Sequence, residues 1–306
     1  MKISIIGAGN VGSLTAMRIA SDGLGDVLLV DVVKGLACGK ALDLEDARPI
    51  LKHNYNINGS DDIRQIKDSD IIIVTAGLAR KPGMSREELI TRNAQILKDV
   101  CLNIKELSAA AIVIIVTNPL DIMTFYALKV TGFKPQRLFG MGISLDTARF
   151  ANLIAQELGL LSTDIEALVI GAHGEAMMPL SAFTKVKGVA LDEFMDEEKI
   201  KSLVLRTVGR GAEIVANLGT GSAFFAPSAA IAAIVRAIVK DEKRIIGLCS
   251  YLNGEYGIKD TCIGVPCRLG KEGIEKVIDL EISQEENDRL SKSAILVAQA
   301  AAQLLA

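Results

Sequence analysis

Tryptophan is missing from the sequence, and aromatic residues make up only 4 % of it. Stacking platforms for bases or sugars are therefore scarce. Histidine occurs twice, at His53 and His173, and the five cysteines (Cys38, Cys101, Cys249, Cys262, Cys267) show no CxxC pairing. No Cys/His metal cluster can be assembled from such a set, so no metal is expected and the thiols read as reduced structural groups. A basic surplus is lacking too: 34 Lys and Arg against 37 Asp and Glu leave a net charge of -3, spread without blocks, which offers nucleic acid no attractive field. No apolar run approaches the roughly 18 residues of a membrane span. The longest candidate, Ala229 to Val239, is broken by Arg236. The sequence opens directly on Lys2-Ile3-Ser4-Ile5-Ile6, a strand-like run with no charged leader ahead of it, and a cytoplasmic location is expected. Chemistry on a small molecule is what these exclusions leave.

Half of the 306 residues are hydrophobic, enough for one large core or two moderate ones. Over the first 140 or so residues, short β-branched runs alternate with longer helical patterns, the grammar of βαβ units around a parallel sheet. Strands are predicted at Lys2 to Ile6, Val27 to Asp31, Asp70 to Thr75 and Ile112 to Thr117. Each is nearly all apolar, as in a sheet covered by helices on both faces. The crossover helices fall at Asn10 to Ser21, Gly39 to Pro49 and Arg86 to Leu107. The pattern then changes, with a helix at Leu145 to Leu158, strands at Ile165 to Ile170 and Pro179 to Val186, and helical stretches from Glu197 and Ser222. The expectation is an α/β protein: a doubly wound parallel sheet (Rossmann) domain over 1–142, then an α+β substrate and catalytic domain over 143–306. Ser283 with Glu286 forms a capping box that should open a C-terminal helix, and Ser85 with Glu88 a second one before Arg86.

Gly7-Ala8-Gly9-Asn10-Val11-Gly12 follows the first strand and opens a helix. In that setting the first glycine allows the tight turn, the second lets the backbone approach a pyrophosphate, and the third permits close helix–strand packing. The helix N-terminus supplies N–H groups and positive dipole for phosphates. Asp31 ends the next strand about 20 residues on, where an acid binds the ribose hydroxyls and repels a 2′-phosphate, which favours NAD over NADP. Thr75-Ala76-Gly77 closes another strand and reads equally as ligand-facing edge or plain turn.

His173 stands in Gly171-Ala172-His173-Gly174-Glu175 at the end of a hydrophobic run, between residues too small to bury it. Hydride transfer at an alcohol carbon needs a proton acceptor or donor titrating near neutrality. His53 lies in polar loop sequence, so His173 is the candidate. Asp146 and Arg149, three apart on a predicted helix, share a face; they read either as a surface ion pair or as two groups aimed into one pocket.

Gly7 to Gly12, Val116-Thr117-Asn118-Pro119, Leu145-Asp146-Thr147-Ala148-Arg149, His173-Gly174-Glu175 and Gly254-Glu255-Tyr256-Gly257-Ile258 together resemble the lactate/malate dehydrogenase family. The resemblance covers essentially the whole chain and is closest to the lactate-dehydrogenase-like malate branch. It implies His173 as general acid/base with Asp146 as its carboxylate partner, and Arg149 as a two-bond fork for the substrate C1 carboxylate. Arg86 would polarise the carbonyl oxygen, and Asn118 would contact nicotinamide and substrate. Gly7, Gly9, Asn10, Val11, Gly12, Asp31, Thr75, Ala76, Gly77, Asn93, Thr117 and Asn118 would line the NAD site. The segment Leu78 to Arg86 bears on the substrate. Arg80 would meet its far end, where oxaloacetate offers a carboxylate and pyruvate only a methyl; an exposed loop arginine is the other reading.

The implied activity is reversible hydride transfer between NAD and (S)-malate/oxaloacetate, as in the tricarboxylic acid cycle, with a lactate or broad 2-hydroxy-acid dehydrogenase as the alternative. A non-catalytic dinucleotide sensor would lack reason to keep Asp146, Arg149 and His173 together, and NAD-dependent glycoside hydrolysis would want metal ligands. The family is usually dimeric or tetrameric, and Ala229 to Val239 and Asn152 to Leu158 are candidate subunit contacts. Departures from the family pattern are Glu175 for the usual Asp, Ala176-Met177-Met178 for Thr-Met-Val, and Thr220 for Lys; Ser222 and Ala223 are candidate pocket walls.

Overall fold

The computed structural model describes residues 1–78 and 85–305. The first half runs β1 (Lys2–Ile6), α1 (Asn10–Ser21), β2 (Asp26–Val30), α2 (Leu36–Leu51), β3 (Ile57–Ser60), β4 (Ile71–Val74), α3 (Arg86–Leu107), β5 (Ile112–Ile115), α4 (Leu120–Thr131) and β6 (Leu138–Gly140). Its six strands pair in parallel in the order β3-β2-β1-β4-β5-β6, a doubly wound sheet whose direction of progression reverses between β1 and β4. Side chains alternate between two cores, as the two-residue period of a strand requires. Ile71, Ile73, Ile112 and Ile114 join one core, while Ile72, Val74, Val113 and Ile115 join the other. Burial on both faces explains why these strands carry no polar alternation. The strands and helices expected in this half are present, with ends shifted by a few residues.

The second half runs α5 (Ile143–Leu158), β7 (Ile165–Glu166), β8 (Val169–Gly171), β9 (Met177–Pro179), β10 (Lys185–Val186), β11 (Val189–Ala190), α6 (Glu197–Leu218), α7 (Phe225–Val239), β12 (Arg244–Asn253), β13 (Lys259–Gly270), β14 (Gly273–Val277) and α8 (Gln284–Leu305). The main sheet continues without a break: β12 pairs antiparallel with β6, and β13, β8 and β9 follow, with β14 on β13. A separate small sheet holds β11-β10-β7.

Three expectations are corrected here. The run Ile165 to Ile170 is two strands in two sheets, and Pro179 to Val186 is the end of β9, a helical turn at Ser181–Phe183, and β10. The turn is held by the Phe183 N–H on the Leu180 carbonyl and by the Thr184 hydroxyl on the same oxygen, which lets the chain step from one sheet to the other. The helix expected from Ser222 starts at Phe225, with Pro227 in its first turn, where a missing N–H costs nothing. Its apolar face is spent inside the chain: α7 packs against α1, burying Ile231, Ile234, Val235 and Ile238. The long β12–β13 pair was not expected, because Thr261 to Cys267 is buried on both faces and Pro266 breaks the strand signature.

One capping box is complete and the other is half formed. Ser283 accepts from the Glu286 N–H and the Glu286 carboxylate answers on the Ser283 N–H at 2.8 Å. At α3 the Ser85 hydroxyl accepts from the Glu88 N–H at 3.0 Å, but the Glu88 carboxylate turns to Arg92 instead. Because Ile73 is fully buried in the sheet centre, Ile73→Ala is expected to lower the unfolding free energy by roughly 2–5 kcal/mol, measured by urea denaturation.

Candidate active site

The carboxyl ends of β1, β2, β4 and β5 meet at the switch point, and the expected nucleotide residues gather along that edge. Gly7 sits at a φ of +106°, with its N–H on the Val30 carbonyl; a Cβ there would lie 2.7 Å from both the Ala76 N and the Thr75 hydroxyl. A Cβ on Gly12 would lie 1.9 Å from the Gly7 carbonyl oxygen, so this glycine is demanded by the turn packing onto α1. Gly9 differs. Its backbone is ordinary for any residue, and a Cβ would meet nothing within 4 Å. No part of the described chain requires a glycine there, whereas a phosphate brought against the N-terminus of α1 would. Asn10 is exposed and Val11 half-buried beside it.

Asp31 follows β2 with both carboxylate oxygens engaged on one side. Oδ2 accepts from the Ala8 N–H at 2.7 Å and Oδ1 from the Val33 N–H at 2.9 Å, which ties the acid to the glycine turn. The Thr75 hydroxyl donates to the Gly7 carbonyl at 2.9 Å, and the Thr117 hydroxyl to the Ala76 carbonyl at 2.6 Å. Asn93, on α3, is buried; its Oδ1 accepts from the Leu78 N–H at 2.8 Å and its Nδ2 donates to the Asn118 carbonyl at 2.7 Å. These three side chains thus clamp the loops after β1, β4 and β5 to one another. Ala76, Gly77 and Asn118 are left toward the open edge.

On the far side of α4, three charged groups converge. Asp146, in the first turn of α5, is fully buried. Its Oδ2 lies 2.6 Å from His173 Nδ1, and its Oδ1 accepts from Arg149 Nη1 at 2.9 Å. An ionised carboxylate can only accept, so the imidazole Nδ1 carries the proton and Nε2 is left to face a substrate. The Asp146–Arg149 pair is therefore within one helix but is no surface bridge, with side-chain exposures of 0 % and 11 %. Arg149 Nε is buried without a hydrogen-bond partner among the described residues, an orphan donor of the kind a bound carboxylate would satisfy. Burial by itself pulls the His173 imidazolium toward deprotonation, but the bond to Asp146, its charge and that of Asp121 outweigh this and hold the group above its ordinary value, with Arg149 opposing. His53 lies far along the chain, in the loop after α2, against Tyr55.

Arg80 lies outside the described residues, as does the side chain of Arg86; the backbone of Arg86 opens α3. Glu175 and Thr220 are exposed. Three groups around the site were not anticipated. Lys40, on α2, donates from Nζ to the Ala8 carbonyl at 2.6 Å and braces the glycine turn. Gly142, before α5, has space for no side chain: a Cβ would lie 2.9 Å from that of His173 and 2.2 Å from Leu120. Asp121 accepts from the His173 backbone N–H at 2.8 Å. The available signal for Asp121 was that it is the one charge in the largely apolar stretch Leu120 to Leu128.

The family described as lactate/malate dehydrogenase, NAD binding domain, matches residues 1–140, and the lactate/malate dehydrogenase alpha/beta C-terminal domain matches residues 143–303. The chain belongs to the lactate/malate dehydrogenase family. It is 49 % identical to the malate dehydrogenase of Methanosarcina mazei, with 96 % of each chain covered. The apo malate dehydrogenase of Picrophilus torridus superposes with a TM-score of 0.95 at 40 % identity, covering 99 % of this chain and 98 % of that one. A lactate dehydrogenase of Cryptosporidium parvum, solved with lactic acid and nicotinamide adenine dinucleotide, also reaches 0.95 at 35 % identity over 99 % of this chain and 97 % of that one. The fold is common to both branches of the family. As a member, the chain carries the NAD-binding domain in its first half, and the open flank of Gly9 with Asp31 behind it fits that cofactor.

The two glycines separate binding from folding. Gly9→Ala is expected to leave the melting temperature near that of the parent and to weaken NADH about 10-fold or more, a loss of ~1.4 kcal/mol at the phosphates. Gly12→Ala should lower both. Fluorescence titration with NADH beside a thermal melt reads the difference.

Proposed function

We propose that this protein is a malate dehydrogenase, catalysing reversible hydride transfer between NAD and (S)-malate or oxaloacetate. The observation that carries the hydride-transfer chemistry is the buried Asp146 carboxylate, bonded at once to His173 Nδ1 and to Arg149 Nη1, and the 49 % identity to a malate dehydrogenase supports malate as its substrate. The bound cofactor supplies the hydride acceptor for malate oxidation and the donor for oxaloacetate reduction. Within the chain, His173 Nε2 takes the hydroxyl proton of malate as the C2–H leaves as hydride, and returns a proton to the carbonyl oxygen in the reverse direction. Asp146 fixes the ring's tautomer and stabilises the imidazolium that forms. Arg149 holds the C1 carboxylate through the donors that Asp146 leaves free. Arg86 meets the carbonyl oxygen as charge builds on it. Arg80 pairs with the second carboxylate and so rejects pyruvate, which would leave a guanidinium unpaired in a dry site. Asn118 orients substrate against the nicotinamide, and the glycine turn with Asp31 and the clamps of Thr75, Asn93 and Thr117 shapes the dinucleotide cleft.

The same reading places the protein in the cytoplasm, in the tricarboxylic acid cycle, as a homodimer or homotetramer. Among the described residues no helix is long and apolar enough to cross a membrane. Exposed Leu205, Val215 and Leu218 on α6 and Ile295 and Leu296 on α8 are the apolar surfaces that a second copy would cover.

Steady-state NADH oxidation tests the substrate. kcat/KM is expected to favour oxaloacetate over pyruvate by ~10²-fold or more, and Arg80→Gln to narrow that ratio; a wild-type preference for pyruvate would sink the assignment. His173→Asn should lower kcat by ~10²–10⁴-fold.

The pH dependence follows from the raised His173. Malate oxidation needs the neutral imidazole, so its kcat/KM should rise through a midpoint above 6.5, while oxaloacetate reduction, which needs the imidazolium, should fall through the same midpoint. Asp146→Asn removes the strongest group holding the proton on, so the midpoint measured in its residual activity should move to lower pH.

A further inference from the structure

His173 also meets a second buried carboxylate, through its main chain rather than its ring. Asp121 belongs to the first turn of α4, two residues after Pro119, and is 3 % exposed. Its Oδ2 accepts from the His173 backbone N–H at 2.8 Å, a contact between residues 52 positions apart. Its Oδ1 is buried with no hydrogen-bond partner among the described residues. Such a group costs stability unless something offsets it. A nonpolar residue would fill the place between α4, β8 and β12 more favourably if packing were all that mattered.

We propose that Asp121 is a positioning residue for His173, fixing its backbone through the amide bond and presenting a second negative charge to the imidazole. The inference rests on His173 as the acid/base group and adds a second control over it. Asp146 holds the ring from α5 and Asp121 holds the main chain from α4, so the imidazole is fixed from two helices. Because Asn118 immediately precedes α4, the same anchor also ties the loop at the cofactor edge to the residue that moves the proton. Gly142 closes the arrangement from the third side, pressing the start of α5 against His173 and Leu120.

The charges that face His173 are Asp146 and Arg149 from α5 and Asp121 from α4. Those that face Asp121 are His173 and the thiol of Cys249 on β12, which in turn faces Cys262 on β13. Burial pushes the Asp121 carboxyl above the ordinary carboxylate range, and the neighbouring thiol, the His173 charge and the His173 N–H pull it back. Burial holds the Cys249 thiol neutral. The N-terminus of α4 adds its positive dipole to the influences that favour the anion.

With only two histidines in the sequence, the imidazole resonances provide a direct reading. Asp121→Asn keeps an oxygen for the His173 N–H and removes the charge. In a proton NMR titration its His173 midpoint should fall by about one pH unit, with His53 as an unmoved internal standard, and the rising limb of kcat/KM for malate oxidation should fall with it. A folded, NADH-binding variant with an unmoved His173 midpoint would overturn the proposal. A moved midpoint without a moved kinetic limb would overturn the acid/base assignment beneath it. The wild-type protein gives an independent reading should the variant fail to fold: the His173 amide proton should resonate far downfield and exchange slowly, and rapid exchange would refute the anchor.

Discussion

A single buried carboxylate, Asp146, carries an imidazole on one oxygen and a guanidinium on the other, and much of the second half of the chain serves to make that contact possible. Asp146 and Arg149 come from one helix, but His173 follows β8, so α5 must lie across the end of that strand at hydrogen-bonding distance. The glycines make this approach possible. Gly264 on β13 admits Ile143 and the Gly171 carbonyl, Gly247 on β12 admits Ile143, and Gly142 admits His173 itself. A methyl group at Gly264 or Gly142 would clash with the Gly171 carbonyl or with Leu120 and His173, so neither position admits a larger residue without a shift in the packing around the site. Removing the carboxylate alone would leave a guanidinium buried without its partner, a deficit of roughly 3–5 kcal/mol in comparable sites. Such a group is tolerable when the reaction uses what it organises.

The cofactor edge obeys a different logic. Its backbone turns are held by side chains that spend their hydrogen bonds on neighbouring loops: Thr75 on Gly7, Thr117 on Ala76, Asn93 on both Leu78 and Asn118, Lys40 on Ala8. Lys40 puts a positive charge against the glycine turn, where it also favours a polyanion. Preorganisation of this kind reduces the ordering cost of binding, since the loops need not be fixed at the moment the dinucleotide arrives. Asp31 takes part in the same bracing through Ala8, so the acid proposed for the ribose hydroxyls is also a strut of the turn.

The parallel half of the fold was legible because each strand there is a short β-branched run bounded by a helix pattern, and because burial on both faces removes ambiguity about which side is core. The second half was not. Strands of two or three residues, such as β7 and β10, have no period to detect, and β13 hides behind Pro266 in the middle of the sheet. In the site, the family resemblance pointed to His173, Asp146 and Arg149, which the structure brings together. Asp121 was passed over because an acid in a helix's first turn already has an ordinary explanation in the helix dipole. Its contact with His173 spans two separate crossovers of the sheet, and no local pattern encodes that. The choice between surface bridge and pocket at Asp146 and Arg149 likewise needed burial to decide it: the pair exists, but inside.

Specificity is the property that the architecture leaves most open. A lactate dehydrogenase and malate dehydrogenases superpose on this chain equally well, so neither the sheet nor the His173–Asp146–Arg149 cluster can distinguish a methyl from a carboxylate at the far end of the substrate. In the proposed roles, all three groups act on atoms that both substrates share: the C1 carboxylate and the C2 oxygen. Discrimination must come from a residue that meets whatever the third carbon carries, and a positive charge there works mainly by exclusion. A pyruvate methyl cannot compensate a desolvated guanidinium, whereas a second carboxylate can. On the proposed reading, one side chain, Arg80, would be enough to separate two reactions that the remaining residues would perform alike.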